Sequence, residues 1–331
     1  MPAVKVLVLE PPFVSNVGWW RLYRPLQAVK KLFPGTFEFK FKRKDLDYFD
    51  AWDADIIITS RPGAGKKPDE QAAVNEFVRL AKRTSGAAFI VDMDDNVLEI
   101  PKGHSLYVEY QNRKRRKGIE ECLGMANGFW FSTPAFLESI SRQGLVVPNA
   151  VLPTELPDSP SPENGWAAWR GHSIQQHDLL LEGVKIWPEI RDKAKAWLWM
   201  GYYPPIQHGG NSEELPYIDD PERYMDTLRK TPLNVLWKPM IDCRFNEHKS
   251  NIALIEATMA GGYCLTNFAG RPMWEKASKK WIPYKAGVVL WEKARQDIAD
   301  NYNLIDAAIA RANHMASLVP HLFPQQNVAT E

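Results

Sequence analysis

A short polar segment followed by an apolar stretch, within residues 245–266, carries the residue types best suited to hold a phosphate. Ser250 is predicted to cap an amphipathic helix and Lys249 stands beside it, so a cation, a hydroxyl and free helix N–H groups would meet there. Glu256 falls further along this helix, where its carboxylate can accept hydrogen bonds from ribose hydroxyls. The Gly261–Gly262 pair is predicted to end the helix, because a left-handed residue is favoured at that position. The pattern favours a nucleotide diphosphate site over its alternative, a capped surface helix with an ordinary charged face.

The elements that must position these residues alternate between short apolar runs and helical stretches. This alternation predicts an α/β fold in which helices cover parallel sheets. In the first half we predict strands at 4–9, 37–41, 55–59, 88–92 and 128–132, and helices near 20–32, 69–84, 106–125 and 134–143. In the second half we predict strands at 165–168, 195–200, 233–239 and 262–266, and helices at 177–187, 221–230 and 297–316 besides the one that follows Ser250.

A proline-rich stretch at 153–164 separates the two alternating sets and is predicted to join two domains. We therefore divide the chain into a first domain at 1–152, a second at 153–300 and a final helix with its tail at 301–331.

The composition is that of an ordinary globular protein. The 331 residues are 45% hydrophobic and 24% charged, and the net charge of +1 gives no global field that would demand nucleic acid or a membrane as partner. The three cysteines show no metal-binding spacing and are predicted to be reduced thiols of a cytoplasmic protein. No segment approaches the roughly 20 apolar residues that a membrane span needs, so no span is predicted.

The segment around Lys249 also resembles a known pattern. Phe245, Asn246, Lys249, Ser250 and Glu256 match a Phe-Asn-x-x-Lys-Ser…Glu signature in the donor-site segment of retaining glycosyltransferases with the GT-B fold. The chain is similar to the phage and bacterial glycosyltransferase family 4-like group. Further short matches fall in the expected order, namely Tyr23-Arg-Pro-Leu, Ser60-Arg-Pro, Val91-Asp-Met-Asp-Asp, Ser132-Thr-Pro, Val147-Pro-Asn and Trp199-Met-Gly.

The resemblance implies two Rossmann-like domains facing a central cleft, with a C-terminal crossover helix. The first domain would bind the acceptor and the second the nucleotide sugar. The wider family often has two glutamates seven residues apart, and here the first of these positions is His248.

The resemblance also implies roles at the donor site. Lys249 would neutralise the diphosphate of a UDP- or GDP-sugar, Ser250 would add a hydrogen bond and Glu256 would hold the ribose. The loop after the first strand of the second domain, with Arg170, Gly171 and His172, would approach the donor. Gly18, after the first strand of the chain, would approach it as well. No cofactor or metal is expected, since the cation and the helix terminus would supply the charge.

Three acids, Asp92, Asp94 and Asp95, end a predicted strand and would meet the ligand crevice of an open α/β sheet. A metal site is the alternative, but we expect these acids to orient the acceptor or the donor sugar. His104 follows shortly after, and the resemblance implies a histidine near the transferred sugar in this part of the first domain. The catalytic set is therefore predicted as His104, Asp94 and Lys249, and the acceptor-binding set as Trp19, Arg21, Tyr23, Arg61, Asp92 and Asp95.

A run of five basic residues, Arg113, Lys114, Arg115, Arg116 and Lys117, lies within a predicted helix. A solvated helix face is the usual explanation, and a grip on the phosphates of a nucleic acid is the alternative.

The predicted function is transfer of a sugar, with retention, from a nucleotide sugar to an acceptor hydroxyl. The acceptor favoured by the basic run and the phage-like group is a hydroxymethylated pyrimidine in phage DNA. A surface or lipid-linked glycan is the second possibility, and a non-catalytic module that binds a sugar nucleotide or glycan is the third.

Overall fold

The computed structural model describes residues 2–10, 16–42, 46–62, 67–171, 176–202 and 211–323. The chain folds as two compact units. The first comprises Met1–Ile100, Val108–Pro148 and Leu304–Glu331, and the second Pro101–Tyr107 and Asn149–Asn303.

The first unit is built on a parallel sheet of six strands in the order β2-β1-β3-β4-β5-β6. Its strands are β1 Val4–Val8, β2 Phe37–Phe41, β3 Ile56–Ser60, β4 Ala88–Met93, β5 Gly128–Phe131 and β6 Leu145–Val146. The helices of this part of the chain are α1 Asn16–Gly18, α2 Arg24–Leu32, α3 Tyr48–Asp53, α4 Pro68–Thr84, α5 Tyr107–Gln111, α6 Arg113–Met125 and α7 Pro134–Ile140.

The central strands of this sheet, β3 and β4, are buried along their whole length. Helices that cover both faces of a parallel sheet produce this pattern, and it explains why the two strands are near-continuous apolar runs. Polar residues cluster only at their carboxyl ends, where Ser60 ends β3 and Asp92 lies near the end of β4.

The second unit contains a parallel sheet of five strands in the order β11-β10-β7-β8-β9. Its strands are β7 Trp166–Arg170, β8 Ala196–Gly201, β9 Asn211–Pro216, β10 Leu233–Trp237 and β11 Tyr263–Leu265. Its helices are α8 Gln176–Asp178, α9 Val184–Ile190, α10 Pro221–Lys230, α11 Arg244–Glu247, α12 Ile252–Met259 and α13 Tyr284–Asn301.

A cluster of tryptophan rings fills the core on one face of the second sheet. Trp187 stacks on Trp237 with ring centroids 5.5 Å apart, and Trp187 meets Trp197 edge to face at 4.8 Å. Trp169 and Trp199 complete the cluster, and all five rings are buried. Large aromatic side chains dominate core energetics, so this cluster fixes which face of β7 and β10 is turned inward.

Two predicted helices are divided in the structure. The predicted helix 106–125 consists of α5 and α6, and the side chain of Asn112 caps α6 by accepting hydrogen bonds from the backbone N–H groups of Lys114 and Arg115. The predicted helix 297–316 is also split, between α13 and the last helix, α14 Leu304–Leu318. The chain returns to the first unit with α14. No helix in the described ranges is long and apolar enough to cross a membrane.

Candidate functional site

The carboxyl edge of the second sheet brings two cations side by side. Trp169 of β7 pairs with Trp237 of β10, so the residues that follow them, Arg170 and Lys238, are the next neighbours along this edge. The two tryptophans point into the aromatic core, and side chains alternate along a strand. The side chains of Arg170 and Lys238 therefore lie on the opposite face of the sheet. We expect α12 on that face, because it packs against β10.

Arg170 is paired with Glu256, which lies on α12 and is fully buried. The Nε of Arg170 also donates to the hydroxyl of Tyr224 over 2.9 Å. Burial disfavours the guanidinium charge, but the charges and hydrogen bonds of Glu256 and Tyr224 outweigh it and raise the pKa of Arg170. One carboxylate oxygen of Glu256, Oε2, is buried without a hydrogen-bond partner among the described residues. Glu256 is thus fully buried and engaged by Arg170, and its bond to a ribose hydroxyl stays a prediction.

The ammonium group of Lys249 pairs with Asp178 and lies over the ring of Phe245. Its Nζ is 3.6 Å from Oδ2 of Asp178 and 4.7 Å from the ring centroid of Phe245. The other carboxylate oxygen of Asp178 accepts hydrogen bonds from the backbone N–H of Ile241 and from the side chain of Asn246. Burial would raise the pKa of Asp178, but Lys249 and these hydrogen bonds lower it. The carboxylate therefore stays charged and fixes the position of the cation.

Ser250 does not cap the following helix, so that prediction is wrong. The helix α12 begins at Ile252, two residues later, and Asn251 occupies the cap position without a side-chain capping bond. The Ser250 hydroxyl oxygen instead accepts a hydrogen bond from Asn149 over 2.8 Å, which leaves its proton to be donated. The amide of Asn251 is fully buried, and neither its oxygen nor its nitrogen has a partner in the described part of the chain.

The end of α12 agrees with the predicted role of the glycine pair. The helix ends at Met259, and Gly261 follows with a φ of +81°. A Cβ atom at this position would lie 2.6 Å from the backbone nitrogen of Ser161. Both the left-handed backbone and the close approach therefore require glycine here.

His104 lies in the second unit, beside the segment that carries Lys249. We had placed it in the first domain, but the stretch Pro101–Tyr107 belongs to the second unit. Its ring packs edge to face against Phe245 at 5.5 Å and against His177 at 5.7 Å. Its Nδ1 accepts a hydrogen bond from the backbone N–H of Leu106, so the neutral ring carries its proton on Nε2. His248 is buried.

Of the other residues predicted at the donor, Gly171 follows β7 and donates its backbone N–H to Met200 over 3.1 Å. His172 lies outside the described residues. Gly18 has helical backbone angles and ends α1.

In the first unit, Arg21 and Asp92 bind each other. The guanidinium donates to both carboxylate oxygens, with distances of 3.1 Å from Nε and 2.6 Å from Nη2, and also to the carbonyl oxygen of Val147. Both side chains have 0% exposure. Burial opposes the charge of Arg21, but Asp92 outweighs it and raises the pKa. Arg21 and Asp92 are thus buried and engaged with each other, and their contact with an acceptor stays a prediction.

Asp94 lies next to this pair, and its pKa is raised. Burial, followed by the charge of Asp95, raises its pKa to about 6, while Arg21 and Arg61 act in the opposite direction. Its Oδ1 atom is buried without a hydrogen-bond partner in the described ranges. Arg61 has a left-handed backbone with φ of 37°, and its N–H donates to the carbonyl of Asp92 over 2.8 Å. Such strain in a non-glycine residue is often found at functional sites.

The aromatic residues predicted to receive an acceptor are packed against their neighbours. Trp19 is 6% exposed, meets Trp20 edge to face at 5.3 Å and lies under the guanidinium of Arg24. Tyr23 packs edge to face against Phe41 at 5.4 Å. The Trp19 ring therefore has little free surface for stacking.

The five basic residues of α6 do not share one environment. Arg115 is buried, pairs with Glu109 and packs over Tyr110. Arg116 and Lys117 form weaker surface pairs with acids one turn later in the helix. Arg113 and Lys114 are exposed in the first turn, which holds no acidic residue. Only part of the predicted run therefore remains open to a polyanion.

Lys238 is the site residue that sequence reasoning missed. It is half-buried directly after β10, in a stretch we assigned to the strand itself. A charged residue at the carboxyl end of an apolar strand was the available signal, because that end of a parallel strand borders the ligand crevice. Within the described ranges, no group of three or more histidine, cysteine or acidic side chains is placed to share a metal ion.

The geometry of the two units is that of the GT-B fold, with two Rossmann-like α/β domains and parallel sheets. The chain matches no protein-family model and no curated protein sequence. Among solved structures it is similar to S. aureus TarM, determined as a mutant with fondaparinux, α-GlcNAc-glycerol and UDP (TM-score 0.51, 13% identity, 80% of this chain and 55% of that one). The chain thus spans about half the length of TarM.

Two further structures are similar. A mutant O-GlcNAc transferase of Thermobaculum terrenum matches with a TM-score of 0.51 at 9% identity, over 97% of this chain and 68% of the other. An α-glucosyltransferase bound to UDP and a 13-mer DNA with an HMU base matches with a TM-score of 0.48 at 11% identity, over 98% of both chains. At these identities the likenesses to TarM and to the O-GlcNAc transferase establish the fold alone. The likeness to the α-glucosyltransferase carries no argument.

Proposed function

We propose that this protein is a retaining glycosyltransferase that moves a sugar, a hexose or a pentose, from a nucleotide sugar to an acceptor hydroxyl. The observation that carries this proposal is the group of cations at the carboxyl edge of the second sheet. Arg170 lies there against Glu256 of α12, and Lys249 lies shortly before the start of that helix, at the edge where open α/β sheets bind their ligands. Helix N–H groups and a fixed cation together form an anion site.

The residues around this edge suit a nucleoside diphosphate. Lys249 would contact the diphosphate, and the Ser250 hydroxyl, which accepts from Asn149, is free to donate to a phosphate oxygen. Oε2 of Glu256, for which the described residues offer no hydrogen-bond partner, would accept from the ribose. Asn251 offers a buried donor and acceptor next to these groups. Such preorganised groups stabilise the negative charge that develops as the nucleoside diphosphate leaves.

For the chemical step we propose a front-face transfer. The acceptor oxygen forms a bond to C1 of the sugar on the side of the leaving group while the bond from C1 to the phosphate oxygen breaks. The acceptor proton passes to the departing phosphate, so no covalent enzyme intermediate is needed. His104, whose Nδ1 accepts from the Leu106 N–H, would lie beside the transferred sugar.

For the acceptor we propose a hydroxymethylated pyrimidine in DNA. Support comes from Arg113 and Lys114, which are exposed in the first turn of α6 with no acidic residue near them in that turn. Cations are unfavourable at a helix N-terminus, so their placement there favours a polyanionic partner over helix stability. A base inside duplex DNA would have to be flipped out of the stack before transfer.

The test is a screen of the purified protein against UDP- and GDP-sugars, with and without duplex DNA containing 5-hydroxymethylated pyrimidines. We expect release of nucleoside diphosphate that rises strongly when this DNA is present, and sugar attached to the DNA by mass spectrometry. Turnover indifferent to DNA but stimulated by a glycan would reject the DNA acceptor. Binding of a nucleotide sugar without any turnover would reject the enzyme in favour of a binding module.

A further inference from the structure

Lys238 occupies a defined place in the second sheet. Its backbone N–H donates to the carbonyl of Leu265 in β11 over 2.8 Å, and β10 continues in register with β7 up to the pair Trp237 and Trp169. Its neighbour across the sheet is therefore Arg170, on the face away from the tryptophan core. Adjacent strands lie about 4.8 Å apart, so two cations stand next to each other at this edge.

The charges that face Lys238 come from every element around it. Arg170 at the end of β7 and Lys249 before α12 repel it, while Asp178 of α8 and Glu256 of α12 attract it. Cys264 of β11 also faces it, but burial raises the pKa of this thiol, which therefore stays neutral.

Both carboxylates in this group are already engaged. Glu256 binds Arg170, and Asp178 holds Lys249 while accepting hydrogen bonds from Ile241 and Asn246. Among the described residues, three cations thus share two acids, and no further acid balances the charge of Lys238. A half-buried charge in excess is costly unless a ligand of opposite sign compensates it.

We propose that Lys238 is a third phosphate-binding cation of the donor site, and that it makes binding of a nucleoside diphosphate weaken as the solution becomes alkaline. The proposal rests on the proposed function, because it assumes that the diphosphate binds at this edge. An anionic ligand placed between Arg170, Lys238 and Lys249 would supply the missing negative charge.

The pH range follows from the surroundings of Lys238. Burial, then Lys249 and Arg170, lower its pKa to about 8. At pH 7 the amine of the free protein is mostly protonated, and above pH 8 it is mostly neutral. A bound diphosphate favours the protonated form, so the dissociation constant should rise by up to about tenfold per pH unit above pH 8 until the pKa of the complex is reached.

The experiment is titration calorimetry with UDP and with GDP at pH 7.0 and pH 9.5, on the wild-type protein and on Lys238→Arg and Lys238→Met. For the nucleotide that binds, the wild-type dissociation constant should rise about tenfold or more between the two pH values. Lys238→Arg should bind with little dependence on pH, since a guanidinium stays charged throughout. Lys238→Met should bind at least about tenfold more weakly than wild type at pH 7.0 and should also lose the pH dependence.

Lys185→Met, which removes an exposed lysine of α9 paired with Glu182, is the matched control and should behave as wild type. Circular dichroism shows whether Lys238→Met is folded. If Lys238→Met is unfolded, the pH dependence of binding by Lys238→Arg tests the proposal alone. Wild-type pH dependence that persists in Lys238→Arg would overturn the assignment while leaving the proposed function intact. Failure of the wild-type protein to bind either nucleotide would contradict both.

Discussion

At the scale of single residues, Lys249 is the side chain on which the proposed chemistry depends most. Replacing it with alanine removes the cation expected at the leaving diphosphate, so we expect turnover to fall by about 10²- to 10³-fold, or about 3 kcal/mol of transition-state stabilisation. The loss should appear in kcat as well as in kcat/KM, because the charge develops during the reaction. Steady-state kinetics with the donor found in the screen would measure it.

The control for Lys249→Ala is Lys185→Ala, which also removes a lysine of the second unit but from an exposed position. The Lys249 variant leaves Asp178 with its hydrogen bonds to Ile241 and Asn246, so the local fold should persist. Normal turnover in a folded Lys249→Ala protein would show that the diphosphate does not bind here.

Asp94 should make the stability of the first unit depend on pH. Burial and Asp95 raise its pKa in the folded state to about 6, above the ordinary value of about 3.9 expected on unfolding. Its contribution to stability is therefore complete below about pH 4 and is lost as the pH rises through about 6. The variant Asp94→Asn stays neutral at all these pH values. As the pH rises across this range, its free energy of unfolding should increase relative to that of wild type by on the order of 3 kcal/mol.

Urea unfolding of the two proteins at several pH values between about 4.5 and about 7.5 measures this difference in unfolding free energy. Taking the difference cancels the pH dependence that all other groups contribute to both proteins. Asp158→Asn, a change at a fully exposed side chain, should leave the pH profile as it is in wild type. A difference between Asp94→Asn and wild type that stays constant over the range would mean that Asp94 is ionised throughout in the folded protein.

Sequence patterns point to a site residue only when its neighbours in the chain reveal it. Lys249, Ser250 and Glu256 stand within one segment, so their association was predictable. The importance of Lys238 depends on strand register and on the engagement of Asp178 and Glu256 by other groups. The Arg21–Asp92 pair joins residues 71 positions apart, and no local pattern distinguishes such a buried ion pair from two ligand-binding groups.

At the scale of secondary structure, α6 is expected to sacrifice some stability for its first-turn cations. Changing both Arg113 and Lys114 to alanine should stabilise the helix slightly, because cations oppose the macrodipole at this end. If these side chains bind DNA phosphates, the slope of log K against log salt should become shallower by about 2. Fluorescence anisotropy with hydroxymethylated duplex DNA, at salt concentrations from about 50 to about 200 mM, measures that slope.

The matched double variant Lys185→Ala with Lys230→Ala removes two exposed lysines from the second unit and should leave the slope unaltered. A slope equal to that of wild type in the Arg113 and Lys114 variant would exclude α6 as a DNA contact. Affinity that depends on salt but not on these four positions would place the DNA elsewhere on the protein.

The helical segment that follows the first strand of each sheet contains a feature that the sequence did not indicate. The N–H of Arg24 bonds to the carbonyl of Trp19, and the N–H of Val184 bonds to that of Leu179, each five residues back. These π-helical turns insert one extra residue into otherwise regular helical periodicity, so hydrophobic spacing alone cannot reveal them. Such turns occur frequently at functional sites, and both lie early in the helical segment that follows the first strand of their sheet.

At the scale of the whole molecule, alternating apolar runs were sufficient to predict two parallel sheets. The edge strand β9 was missed because Asn211–Pro216 is polar and largely exposed, which is typical of a protected sheet edge rather than of a buried strand. The return of α14 to the first unit has no local signal either. Its buried residues, such as Ala308 and Met315, and its contacts with α2 show that it packs within that unit.

The first unit therefore depends on residues from the end of the chain. Arg311 of α14 is fully buried, donates to the carbonyl of Arg21 over 3.0 Å and packs over Trp130, while His314 accepts from the indole of Trp130. Ala308 is fully buried on the same helix. Ala308→Asp should cost several kcal/mol, because an unpaired carboxylate would replace a methyl group in the core.

Hydrogen exchange measured by mass spectrometry can assign this loss to one unit. We expect Ala308→Asp to lower the protection of β4 in the first unit far more than that of β10 in the second, since α14 packs on α2 of the first unit. Asn313→Asp adds the same charge at an exposed position of α14 and should change neither strand. Equal loss of protection in β4 and β10 would mean that the two units unfold as one cooperative body, and that α14 stabilises both.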